Sequence, residues 1–212
     1  MPATIPIEPT DILLVVDLQP DFMPGGALAV GDGDAVVPVA NALMRRFAQV
    51  VVTQDWHPPG HASFASTHGA APFEVKRLGY GDQTLWPDHC VQGTPGAALH
   101  PALETDASFL ILRKGRHPSV DSYSAFVEAD GKTTTGLAAL LHARGAKRVF
   151  CCGLATDFCV AYSALDARAA GFDVFVIEDA CRAIDADGSL EAAWARMNAA
   201  EVWRIQSREI LG

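Results

Sequence analysis

The chain has 212 residues, half of them hydrophobic and 19% charged, which suits one packed domain over residues 1–212 and argues against disorder. Its formal net charge is −9 with no basic cluster, so nucleic acid and anionic membrane are poor partners. No apolar run approaches the roughly 18 residues that span a bilayer. The N-terminal MPATIPIEPTD lacks a basic segment followed by an apolar one, so no secretory signal is expected. The five cysteines, at 90, 151, 152, 159 and 181, are odd in number and unevenly spaced. They point to reduced thiols in a cytoplasmic protein rather than to a disulfide framework.

In chain order, residues 11–16 (DILLVV) predict a buried strand ending at Asp17. Helical periodicity follows over 34–47, then a buried strand over 49–53 (QVVVT), just before Asp55. Residues 55–106 have little periodicity and many Gly, Pro and His residues; a loop that long inside a compact domain is usually functional. Further strands are expected at 109–112 (FLIL), 148–152 (RVFCC), 173–177 (DVFVI) and 201–205. Helices are expected at 136–144, 157–170 and 189–200, the first two stopped by Gly145 and Gly171. The strands are apolar along their length and do not alternate, so both of their faces are covered. That predicts an α/β fold: an open, mostly parallel sheet of about six strands with helices on both faces. Ligands of such sheets sit beyond the carboxyl ends of the strands. Asp17, Asp55 and Lys114 lie at or just past strand ends, and Cys159 follows one across a short turn.

These residue types support one chemistry, although each also has an ordinary reading. Cys159, in GLATDFCV, opens a helix whose free N–H groups and dipole favour a thiolate or an oxyanion; it could equally be a core thiol. Asp17 is a candidate base for that thiol, or a turn residue. Lys114 is a candidate partner to both charges, or a solvated lysine, and Gly115 beside it permits close backbone approach. Asp55 and His57 stand two apart on one side of an extended segment, with His89 in the same long loop. One carboxylate and two imidazoles suit Zn, Fe or Mn; His61 would be a fourth ligand or a support, and Cys90 a competing thiolate. Phe22, Trp86 and Tyr123 could clamp a flat substrate, or simply pack.

Taken together, VVDLQPDFMPGGALAV, VVTQDWHPPGHASFAS, LWPDHCVQGTPGAALHP, KGRHPSVDSYSAF and CCGLATDFCVAYSALDA resemble the nicotinamidase/pyrazinamidase branch of the isochorismatase-like cysteine hydrolases. The resemblance spans nearly the whole chain. It implies a triad of Asp17, Lys114 and Cys159, and metal ligands Asp55, His57 and His89 for one divalent ion, zinc first, with iron or manganese as alternatives. It also implies a cis peptide between Leu154 and Ala155, with the N–H groups of Ala155 and Cys159 facing an oxyanion. Phe22, Trp86 and Tyr123 would line the pocket of a small-molecule substrate, nicotinamide. The oligomeric state, monomer or homo-oligomer, stays open. Two other readings stand beside this one: an amidase of the same superfamily acting on a carbamoyl or ureido substrate, and a non-catalytic metal-binding or redox-sensing protein.

Overall fold

In the computed structural model, which describes residues 4–212, the first element is strand β1, Ile12–Val16. The first three residues of the N-terminal stretch read above lie outside the described residues. Helix α1 (Val36–Met44) follows a short turn and leads to β2 (Gln49–Asp55). The long segment after β2 holds a single helical turn, α2 (Ala65–His68), and a hairpin of β3 (Val75–Leu78) and β4 (Gly81–Thr84). Then come β5 (Ser108–Lys114), α3 (Leu137–Ala143), β6 (Arg148–Leu154) and α4 (Ala161–Ala169). The chain closes with β7 (Asp173–Arg182), α5 (Ser189–Ala199), β8 (Trp203–Ile205) and α6 (Arg208–Leu211).

Six strands form one parallel sheet in the order β5-β2-β1-β6-β7-β8. The chain starts at β1 near the middle, steps outward through β2 to β5, crosses back to β6, and steps outward the other way. Right-handed crossovers in opposite directions place α1 and α4 on opposite faces. Helix α1 packs on β1, β6 and β7, while α4 packs on β6 and β7 and against α5. Both faces of the central strands are therefore dry, and β1 and β2 are buried along their whole length. Where the strand order reverses, between β1 and β6, the two crossovers diverge and leave a crevice at the carboxyl edge.

Several boundaries differ from the sequence reading. The helix expected over 34–47 runs only over Val36–Met44, because Asp32, at φ 52°, and a tight turn precede it. The helix expected over 157–170 begins as a π-type turn, Thr156–Val160, before α4 proper. The β3–β4 hairpin lay hidden in the long loop. Its strands, VKRL and GDQT, are mostly exposed and carry no apolar alternation. Gly153, at φ 118°, is needed where β6 meets β1, because a Cβ there would lie 2.1 Å from the Val16 carbonyl oxygen. No helix among the described residues is long and apolar enough to cross a membrane. All five cysteines are free and buried.

Candidate active site

Four strand ends meet at the crevice. Asp17 follows β1 directly, in a left-handed backbone conformation (φ 50°) and with no exposed surface. Thr53 of β2 fixes it twice: the Asp17 N–H donates to Thr53 Oγ1 at 3.1 Å, and that hydroxyl donates to Asp17 Oδ1 at 2.6 Å. Asp17 Oδ2 has no hydroxyl or amide donor. It faces the Lys114 ammonium at 2.8 Å, and Lys114 in turn joins Asp17 to the Cys159 sulfur. Lys114, the last residue of β5, also reaches Asp55 Oδ1 at 3.1 Å, the Ser122 carbonyl at 3.1 Å and Cys159 Sγ at 3.3 Å. One buried ammonium thus ties two carboxylates to one sulfur.

Burial sets the protonation states, and neighbouring charges modify them. Desolvation would lower the Lys114 ammonium, but Asp17 and Asp55 beside it hold it well above its usual range, so it stays charged. Burial raises the Asp17 carboxyl; Lys114 only partly offsets this, and Asp55 adds to it. Burial would also raise Asp55, yet His57 and Lys114 override it and keep that carboxyl well below the ordinary range. Burial pushes the Cys159 thiol well up, more than Lys114 pulls it down. The helix N-terminus expected to favour a thiolate is a π-type turn ahead of α4, and burial works against the charged sulfur there.

Beside the triad, His57 Nε2 lies 2.9 Å and His89 Nε2 3.5 Å from Asp55 Oδ2. Each ring is fixed through its other nitrogen: Nδ1 of His57 lies 2.9 Å from the Gly115 carbonyl, and Nδ1 of His89 lies 2.8 Å from that of Pro87. A carbonyl can only accept, so both Nδ1 atoms carry hydrogen, and each Nε2 turns towards one carboxylate oxygen. Against burial, Asp55 holds the His57 pKa above its usual range; a cation between these atoms would take the place of that proton, and the carbonyl support is the usual arrangement around a metal-binding imidazole. Asp55, His57 and His89 therefore fit a divalent metal, and they form a buried group close enough to hold one.

His61 falls outside that set. Its Nε2 faces the carbonyls of His117 (3.0 Å) and Val120 (3.3 Å), and its Nδ1 faces Ser63 Oγ at 2.7 Å. Burial and the adjacent His57 bring its pKa down to about 4, so it is a neutral ring with both nitrogens engaged. His57, His61 and Asp121 make a second group of donors. The Asp121 oxygens, however, already accept from the Ser122 N–H (2.8 Å) and from Gln83 Nε2 (2.8 Å). This second group is a polar support for His57.

A narrow cleft opens over the sulfur. Phe22, Trp86 and Tyr123 line it as expected, together with Ala155 and Cys159. The Trp86 indole N–H donates to the Tyr123 hydroxyl at 2.9 Å, which fixes both rings. The peptide between Leu154 and Ala155 is cis. Every residue singled out for the triad, the metal group and the pocket thus meets at one sheet edge. Sequence reasoning missed Leu28, Phe158 and Ile184 in the cleft wall. It also missed Thr53, and Gln19, whose amide pairs with the Asp55 backbone at 2.7 and 2.9 Å. Their signal was present: both are polar side chains set among buried apolar residues, and such groups need partners.

The isochorismatase domain family matches residues 11–209. A nicotinamidase of Acinetobacter baylyi is 56% identical over 200 residues, 94% of each chain. The structure of an Acinetobacter baumanii nicotinamidase/pyrazinamidase superposes with a TM-score of 0.94 at 53% identity, over 95% of this chain and 98% of that one. A Pyrococcus horikoshii pyrazinamidase in complex with zinc superposes at 0.76 with 38% identity, over 93% of this chain and 99% of that one. With a buried thiol, carboxylate and ammonium at the switch point of an isochorismatase-like sheet, the chain belongs to the nicotinamidase branch of the isochorismatase-domain hydrolases.

Proposed function

We propose that this chain hydrolyses nicotinamide to nicotinic acid and ammonia through a thioester on Cys159, and that it deamidates the nearly isosteric pyrazinamide as well. Its place is then the salvage of NAD precursors. The observation that carries the reading is the Lys114 ammonium, within 2.8 Å of Asp17 Oδ2 and 3.3 Å of Cys159 Sγ. A thiol held above its usual range is a poor nucleophile until a base takes its proton. Asp17 Oδ2, with no amide or hydroxyl donor of its own, is that base.

Asp17 takes the thiol proton as Cys159 Sγ attacks the carboxamide carbon, and Lys114 balances the charge shared between carboxylate and sulfur. The backbone N–H groups of Ala155 and Cys159 receive the developing oxyanion. Asp17 returns its proton to the departing amine, which leaves as ammonia. The carboxylate then activates a water against the thioester, so one group serves as acid and base in turn. Thr53 keeps Oδ1 occupied, which leaves Oδ2 for the proton. Asp55, His57 and His89 would hold a divalent ion, with zinc the first choice given the zinc-bound pyrazinamidase relative. When bound, that ion supplies a Lewis-acid anchor for the ring nitrogen, directly or through water. Phe22, Trp86 and Tyr123 would hold the ring flat.

Rapid acid quench of the turning-over enzyme, followed by mass spectrometry, tests the covalent step. The expected product is a nicotinoyl group on the Cys159 peptide, absent in Asp17→Asn. Full ammonia release with no adduct on any cysteine, even on the millisecond scale, would contradict the thioester route.

A further inference from the structure

Asp157 stands two residues before the nucleophile and is only 2% exposed, yet the triad chemistry does not use it. Its carboxylate is taken up by the segment after β7 and by the first residue of α5. The N–H of Ile184 donates to Oδ1 at 3.1 Å, and that of Asp185 to Oδ2 at 2.8 Å. The Ser189 hydroxyl donates to Oδ2 at 2.5 Å. Asp185 sits at φ 52° and Asp187 at φ 50°, a left-handed winding that non-glycine residues adopt only when held there. Successive amides in such a winding form a concavity for an anion, and here the anion is the Asp157 side chain. Ile184, the first residue of that concavity, is part of the cleft wall together with Phe22, Leu28 and Phe158.

We infer that Asp157 is a positioning residue that clamps the 183–189 segment to the nucleophile turn, and that Ile184, held by this clamp, selects which ring substituents the cleft admits. The inference rests on the aromatic-amide reading of the cleft given above. The turn that carries the sulfur and the wall that meets the ring are thereby one mechanical unit. A branched aliphatic side chain at that wall excludes by shape. One extra or missing methylene against such a wall shifts selectivity by roughly 10- to 200-fold. The clamp acts on substrate fit and leaves the reacting groups where they are.

The test uses metal-loaded full-length enzyme and three variants, Ile184→Ala, Ser189→Ala and Asp157→Asn, assayed on nicotinamide and on ring-methylated nicotinamides. Ile184→Ala should raise KM for nicotinamide and raise the kcat/KM ratio of methylated to parent substrate by roughly tenfold or more. Asp157→Asn should move both in the same direction while kcat stays within about threefold, because an amide in that place turns a donor towards a donor. Ser189→Ala removes one of the three bonds and should show a weaker version of the same shift. Amide exchange at Ile184 and Asp185 should be faster in Asp157→Asn by about tenfold or more, whatever the substrate. An unchanged substituent ratio in Ile184→Ala would overturn the inference. So would a fall in kcat with unchanged KM in Asp157→Asn, or unaltered exchange in both Asp157→Asn and Ser189→Ala. Wild-type enzyme that ignores nicotinamide would instead overturn the substrate reading, with the exchange measurement still deciding the clamp.

Discussion

Asp55 divides its oxygens between two neighbours: Oδ1 faces Lys114, and Oδ2 faces His57 and His89. The base and the metal group are therefore one charge network, and small displacements within it matter. Gly115 shows how tight it is. At φ 66° it carries the carbonyl that fixes His57, and a Cβ there would lie 2.5 Å from His57 Cε1 and 2.9 Å from Asp55 Oδ1. Gly115→Ala should cost at least about tenfold in kcat/KM for nicotinamide and reduce bound metal, because a misplacement near 1 Å is enough for such losses. Metal analysis and kinetics check both; wild-type values in both would contradict it. Asp17 gives a second expectation. Its carboxyl is raised by burial and by Asp55, and the proposed reaction needs it ionised. Activity is therefore lost as the pH falls through a value above the ordinary carboxylate range of about 4, and an acid limb at or below 4 in the kcat/KM profile would contradict this. That Asp17, Lys114 and Cys159 converge beside Asp55, His57 and His89 was legible in the motifs. The burial that raises the thiol was not, because it depends on packing around the sulfur.

At the scale of elements, strand positions were readable because β1, β2 and β6 are apolar on both faces, and β1 and β2 end abruptly at Asp17 and Asp55. The hairpin was not, since exposed strands leave no periodic trace. The π-type turn at Thr156–Val160 was also hidden: the pattern over 157–170 reads as a helix, and only the extra residue in its first turn distinguishes the two. At the opposite edge of the sheet, Arg148 opens β6 and forks onto the buried Asp11, with Nε to Oδ1 at 2.8 Å and Nη2 to Oδ2 at 2.5 Å. This pair ties the amino ends of β1 and β6 together, far from the chemistry. Arg148→Ala leaves the buried carboxylate with only the Glu8 N–H, at 2.7 Å, and should lower unfolding stability by about 2 kcal/mol in urea, with kcat unchanged. A loss well under 1 kcal/mol would show that water replaces the arginine.

For the molecule as a whole, the order β5-β2-β1-β6-β7-β8 brings together residues from 17 to 159 without any of them being neighbours in sequence. Parallel topology and a central switch point followed from the apolar strands and the crossover rule. Which side chains line the cleft did not, because Leu28 and Ile184 reach it from loops and Phe158 from the π-type turn, none of which periodicity encodes. Exhaustive chelation should abolish turnover of nicotinamide, and zinc, iron or manganese should restore it. Turnover that survives complete metal removal would leave the cysteine chemistry standing and remove Asp55, His57 and His89 from the reaction. The most direct test of the central claim is ammonia release from nicotinamide by metal-loaded wild-type protein and by Cys159→Ala, side by side. The account predicts steady release by the first and none by the second, at matched folding by circular dichroism. Release by Cys159→Ala at the wild-type rate, or none by the wild type, would contradict it.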